Sequence, residues 1–150
     1  MNFRYECINE FDIDETAKAV FQVLKQIDFE FGKNKSGELK NRLNTEFKLM
    51  GWFNSLKVDP NLNWKIQYYY DESAILYYFS NKARASLDLV KIQHLYQHNK
   101  IKKAIYIVLC KNEAIEMGDN LANFETLLKE IKTFKKIFTL PILLIGIKQN

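Results

Sequence analysis

Apolar and polar positions alternate through Asn2–Ile8 (NFRYECI), the period of a strand with one face against a core. Asp12, with Glu15 three residues later, matches a capping box, and Ala17, Val20, Phe21, Leu24 and Ile27 then recur at helical spacing. A second helical stripe, Leu39, Leu43, Phe47 and Met50, follows the basic, glycine-containing segment GKNKSGELKNR and stops at Gly51. NSLKVDPNLN is a loop with turn chemistry at Asp59 and Pro60. WKIQYYY and SAILYYF predict two paired strands, joined by a tight turn at Asp71 and Glu72. SLDLVKIQHLYQHN places Leu89, Ile92, Leu95 and Tyr96 on one helical face, with Lys82 and Arg84 in the loop before it. Asp88 would then open that helix, where an acid complements the positive end of the helix dipole. KAIYIVLC is apolar without alternation, the pattern of a strand buried on both faces. NFETLLKEIKTFKKIF predicts an amphipathic helix with Phe124, Leu127, Leu128, Ile131 and Phe134 inward, and LPILLIGI a closing buried strand.

Hairpin strands early and a strand–helix–strand passage later describe a mixed α/β fold. No repeat, low-complexity tract or linker interrupts the order, so residues 1–150 are expected to form one domain. Composition agrees: 47% of residues are hydrophobic, with only five Gly and two Pro, which excludes a disordered chain. The net charge of +4 permits a nucleic-acid partner without requiring one. The opening residues are too polar for a secretory signal, and LPILLIGI is too short to cross a bilayer, so a cytoplasmic protein without a membrane partner is expected. Cys7 and Cys110 lie far apart at no metal-ligand spacing and read as reduced structural thiols. His94 and His98, four residues apart on a helix, have the spacing of a metal pair but no third ligand in view, and read as an exposed helix face. There is no glycine-rich phosphate loop and no nucleophile elbow.

The order of elements resembles the core of the PD-(D/E)XK nucleases. More specifically, NFRYECI with its following helix, FKLMGW, SAILYYF, DLVKIQHLYQHNKIKKAIYIV and LPILLIGI together resemble the BglII-like restriction endonuclease family. The resemblance covers nearly the whole chain. It implies a restriction-endonuclease-like mixed central sheet flanked by helices, double-stranded DNA as partner and Mg²⁺ as the family's cofactor. It also implies a homodimer, or a heterodimer with a related nuclease subunit.

Members of that family place an Asp on the first strand of the pair. On the second they place a Glu, followed two residues later by Lys, Gln or Glu. Positions i and i+2 of a strand share a face, so the side chains converge on one ion, and a hard cation takes oxygen ligands. In this chain the Asp position falls on Gln67, the Glu position on Leu76 and the partner position on Tyr78. An apolar side chain cannot ligate Mg²⁺, an amide is a weak ligand, and a phenol with a pKa of about 10 is a poor one at neutral pH. No catalytic residue, metal ligand or cofactor is therefore expected. Three acids stand in reserve: Asp71 and Glu72, which otherwise read as turn residues, and Glu15, which otherwise reads as a cap.

Candidate DNA contacts are Lys82 and Arg84 after the vestigial strand, and Lys33, Lys35, Lys40 and Arg42 before it and on the second helix. Lys100, Lys102 and Lys103 form another basic group, and Lys129, Lys132, Lys135 and Lys136 read as the solvated face of the late helix. Tyr68, Tyr69, Tyr70, Tyr77 and Tyr78 suit either a sheet face or a contact surface. The leading expectation is a degenerate nuclease relative that acts by binding DNA or by partnering a nuclease or defence system. Two alternatives stay open: an active Mg-dependent deoxyribonuclease with relocated acids, and a protein-interaction module with no nucleic-acid role.

Overall fold

The continuous apolar runs occupy the middle of a five-stranded sheet, and the alternating or short segments occupy its edges. The structure is a computed structural model and describes residues 1–52 and 54–150. The chain runs through β1 (Asn2–Ile8), α1 (Glu15–Gln26), α2 (Ser36–Leu49), β2 (Leu56–Lys57), β3 (Lys65–Ile66), β4 (Tyr68–Tyr70) and β5 (Ser73–Tyr77). It continues through α3 (Lys82–Gln97), β6 (Lys103–Leu109), α4 (Lys111–Met117), α5 (Phe124–Thr133) and β7 (Ile142–Lys148). The main sheet has the order β1-β7-β6-β5-β4, while β2 and β3 form a separate two-stranded ribbon. Strands β5, β6 and β7 run parallel, and β4 and β1 close the two edges antiparallel. The sheet is therefore mixed, as expected.

Period-two alternation divides the core into two layers. Ile75, Tyr77, Ile105, Ile107, Leu143 and Ile145 face α1 and α2, against Val20, Leu24, Leu39, Leu43 and Phe47. Ala74, Leu76, Tyr106, Val108 and Leu144 face the opposite side, against Leu89, Ile92 and Leu95 of α3 and Leu127 and Ile131 of α5. Each fully buried large apolar side chain in these layers contributes about 1.5–3 kcal/mol. Gly51 ends the α2 region at φ +81°, the left-handed conformation that glycine adopts without a steric cost.

Several boundaries differ from the sequence expectation, each for a local reason. The cap of α1 is Asp14, whose Oδ1 accepts from the Ala17 amide at 3.0 Å, rather than the Asp12–Glu15 pair. With the helix starting at Glu15, Asp14 is the residue in reach of the third free amide, while Glu15 pairs with Lys18 at 2.6 Å. WKIQYYY is not one strand: it breaks at Gln67, with Ile66 pairing back to Leu56 and Tyr68 pairing to Ile75. Helix α3 starts at Lys82, capped by the Asn81 side chain on the Ala83 amide at 2.8 Å, so Lys82 and Arg84 are helical rather than in a loop. Asp88 therefore sits inside the helix rather than at its opening. Helix α5 ends at Thr133, which leaves Phe134 half exposed rather than inward. The short α4 lies in a stretch for which no helix was expected.

Candidate nucleic-acid interface

The C-terminal end of β5 meets the start of α2 at a cleft, and three local devices shape it. The first is Gln67. Its Oε1 accepts from the Tyr77 amide at 2.9 Å and its Nε2 donates to the Tyr77 carbonyl at 3.2 Å. The side-chain amide thus stands in for a rung of sheet pairing where the main chain leaves the sheet. The second is alternation along β5. Leu76 is 2% exposed and lies in the layer under α3 with Ala74, Tyr106 and Val108, and Tyr78 packs partly buried against the same layer. The third is Asn44 of α2. The buried hydroxyls of Tyr68 and Tyr77 both donate to its Oδ1. Burial pushes both phenols up from their usual range, Tyr77 far enough that it stays neutral at any ordinary pH.

The cleft holds about 210 Å³ and is lined by Ser36, Gly37, Lys40, Gln67, Tyr77, Tyr78, Phe79 and Ser80. Its polar groups are hydroxyls, an amide, a phenol and an ammonium, with no carboxylate among them. The three reserve acids lie elsewhere. Asp71 and Glu72 form the hairpin tip at φ +46° and +58°, and Glu72 pairs with Lys102 at 2.7 Å. That tip is at the opposite end of β5, roughly 13 Å of strand away from the cleft. Glu15 is solvent-exposed, paired with Lys18, and does not line the cleft.

The expected cations separate into groups. Lys40 lines the cleft. Lys33 and Lys35 lie in the loop before α2, which is tied by the Asn34 amide to the Met117 carbonyl at 3.0 Å, and Lys35 stands 3.6 Å from Glu30. Arg42 is turned away: it pairs with Glu38 at 2.9 Å, donates to the Asp28 carbonyl at 2.5 Å, and lines a different hollow with Asp28, Glu38 and Glu46. Lys82 and Arg84 are exposed on the first turn of α3, and the Lys82 amide donates to the Asn120 carbonyl at 3.0 Å. Lys103, expected in a basic surface group, pairs with Asp14 instead. Lys33, Lys40 and Lys82 form no ion pair with a described carboxylate.

The rings of His94 and His98 lie 4.1 Å apart, and His94 Nε2 is 3.9 Å from Asp59 Oδ2. Among the described residues no group of three or more His, Cys, Asp or Glu side chains is arranged to hold a metal ion. Cys7 is exposed and Cys110 buried, both as free thiols, and burial pushes Cys110 up to about 11. Asp88 has a side chain only 14% exposed and accepts from Lys91 at 3.0 Å and from the Tyr106 hydroxyl at 3.3 Å. Burial raises its carboxyl above the usual range, against the lowering effect of Lys91.

Asn44 and Lys111 carry no signal in the one-dimensional pattern. Asn44 is a polar residue beside an apolar stripe, and Lys111 a cation just past a buried strand. No helix among the described residues is long and apolar enough to cross a membrane.

Comparison with known proteins places this geometry. The family model described as restriction endonuclease BglII/BglIII matches residues 5–147. A crystal structure of restriction endonuclease BglII complexed with a DNA 16-mer superposes with a TM-score of 0.86 at 13% identity, covering 100% of this chain and 78% of that one. A crystal structure of free BglII superposes with a TM-score of 0.75 at 14% identity, covering 100% of this chain and 81% of that one. At such identities the superpositions establish the fold. A search of curated proteins found no match.

Proposed function

The chain belongs to the restriction endonuclease BglII/BglIII family, and from that membership we propose that it is a catalytically degenerate member that binds double-stranded DNA without cutting it. It does so as a homodimer or as the partner of a related nuclease subunit. One observation carries the reading: the cleft at the end of β5 is lined by Lys40, hydroxyls, a phenol and an amide, and by no carboxylate.

Such a lining does not fit Mg²⁺. The ion takes carboxylate and phosphate oxygens, and no side chain of the lining offers a carboxylate. The Glu position of the family is Leu76, inside the hydrocarbon layer under α3. The Asp position is Gln67, with both ends of its amide engaged by Tyr77. No cofactor is invoked, and no cleavage step is derived. The same lining suits a phosphodiester: it offers a cation and neutral donors, and Lys33 and Lys82, close in sequence to the lining residues Ser36 and Ser80, have no acidic partner among the described residues. Lysines that neutralise backbone phosphates release counterions, which makes the affinity fall with salt. The related BglII enzyme was crystallised on a DNA 16-mer, and the shared fold carries that partner to this chain as part of the proposal.

Titration of a labelled duplex in EDTA and in Mg²⁺ tests the reading. No gain in affinity from Mg²⁺, a steep decline with salt and intact supercoiled plasmid are expected. Nicking in Mg²⁺ or Mn²⁺ that disappears in Asp71→Asn or Glu72→Gln would identify an active nuclease with relocated acids. Absence of duplex binding at low salt would leave a role in protein interaction alone.

A further inference from the structure

We propose that a second phosphate-binding hollow, built by Lys82 and Lys111, flanks the cleft and takes another backbone phosphate of the same DNA duplex. This rests on the DNA reading above and extends it to a site with its own residues. The hollow holds about 240 Å³, and its polar lining is Lys82, Lys111, Asn120, Asn123 and Thr126. It contains two ammonium groups and no carboxylate. Apart from the cleft, three other hollows that contain cations also contain carboxylates. Arg42 shares its hollow with Asp28, Glu38 and Glu46, Lys102 with Glu72, and Lys148 with Glu113 and Glu125. Neither Lys82 nor Lys111 forms an ion pair with a described carboxylate. Glu125 reaches Lys111 only at the backbone amide, at 2.9 Å, and is itself paired with Arg4. Asn123 Oδ1 is held by the Thr126 amide at 3.0 Å, which leaves its Nδ2 hydrogens as donors. Two cations with neutral donors and no acid are complementary to an anion.

Position decides which anion. Ser80 lines the cleft and Lys82 lines the hollow, and the backbone between them is pinned to the loop before α5: the Ala122 amide donates to the Ser80 carbonyl at 2.9 Å, and Asn81 bridges Leu121. Two residues of extended chain span about 6.6 Å. A backbone lying along this edge of the sheet meets the cleft and the hollow in succession.

The test uses the full chain, a labelled duplex of the 16-mer length bound by BglII, and titrations at several salt concentrations. Lys111→Ala is expected to weaken binding equally on unrelated sequences and to lower the salt slope by about one, the signature of one lost phosphate contact. Lys111→Glu is expected to weaken it further. Lys136→Ala, on an exposed lysine outside both pockets, serves as the charge control and is expected to keep the wild-type slope. The Lys111 side chain makes no described hydrogen bond, so these variants are expected to fold, with circular dichroism as the check. Wild-type affinity and slope in both Lys111 variants would overturn the hollow and leave the DNA reading standing. An equal loss in Lys136→Ala would reduce the effect to net charge and overturn it too. Failure of the unsubstituted protein to bind any duplex would overturn the DNA reading itself, and this proposal with it.

Discussion

Gln67 is bonded to Tyr77 through its side chain where two strands would be bonded through main chain. One end of the amide accepts at 2.9 Å and the other donates at 3.2 Å. This pairing lets the backbone at Ile66 turn to Leu56 in the small ribbon while the rest of the hairpin stays in the main sheet. Gln67 thus has a structural task. Gln67→Leu leaves the Tyr77 amide and carbonyl without these partners in a part-buried setting, and is expected to cost about 1–3 kcal/mol in chemical denaturation.

Asn44 is the acceptor for two buried phenols at once. Asn44→Ala is expected to destabilise the fold by about 2 kcal/mol or more, because both hydroxyls lose their partner. In a Tyr68→Phe/Tyr77→Phe background the same change is expected to cost much less, and the difference in a double-mutant cycle measures the coupling. Equal costs in both backgrounds would contradict the shared acceptor.

Lys40 and Arg42 are two residues apart but face different hollows. Lys40→Ala is expected to weaken duplex binding and lower the salt slope by about one, while Arg42→Ala leaves both unchanged. A larger loss from Arg42→Ala would move the DNA to the α1–α2 side.

Gly146 in β7 meets Phe124 and Cys110 so closely that an added Cβ would lie 2.8 Å from Cys110 Sγ and 2.8 Å from Phe124 Cβ. Gly146→Ala is expected to cost about 1–3 kcal/mol through overpacking. Thermal unfolding is the measurement, and a neutral result would mean that the start of α5 yields easily.

Two aspartates drive stability in opposite directions with pH. Burial tends to raise Asp14, but hydrogen bonds from Lys103 and the Ala17 amide prevail and hold it below its usual value. Its contribution is present above the unfolded pKa of about 3.9 and is lost as the pH falls through the lower folded value. Asp88 is raised by burial, so its ionised form is the disfavoured one in the folded state. Relative to Asp88→Asn, the wild type is expected to gain stability as the pH falls from neutral through the raised folded value, levelling off below the unfolded value. Relative to Asp14→Asn, it is expected to lose stability over the acid range below about pH 4. Denaturation midpoints measured from neutral to acid pH in the two variants check both signs.

Much of this protein was readable from its residues. The apolar runs of KAIYIVLC and LPILLIGI predicted buried strands because a strand covered on both faces needs no polar alternation, and they form β6 and β7 in the middle of the sheet. The stripe Leu39, Leu43 and Phe47 predicted the buried face of α2, and the gap of two residues at Asp71 and Glu72 predicted the hairpin turn. Positions Leu76 and Tyr78 share a face because the strand period is local. Tertiary structure decided the rest, because side-chain direction depends on where an element begins and on what pairs with it from far along the chain. The start of α3 four residues earlier than its apolar pattern turned Asp88 from a terminal charge into a buried acceptor for Tyr106. The divided hairpin gave Gln67 a partner ten residues away, and the fold-back of the α4–α5 segment set Lys111 beside Lys82. Local periodicity encodes which face is apolar. Which charges meet across a sheet edge is encoded only by the packing that brings distant segments together.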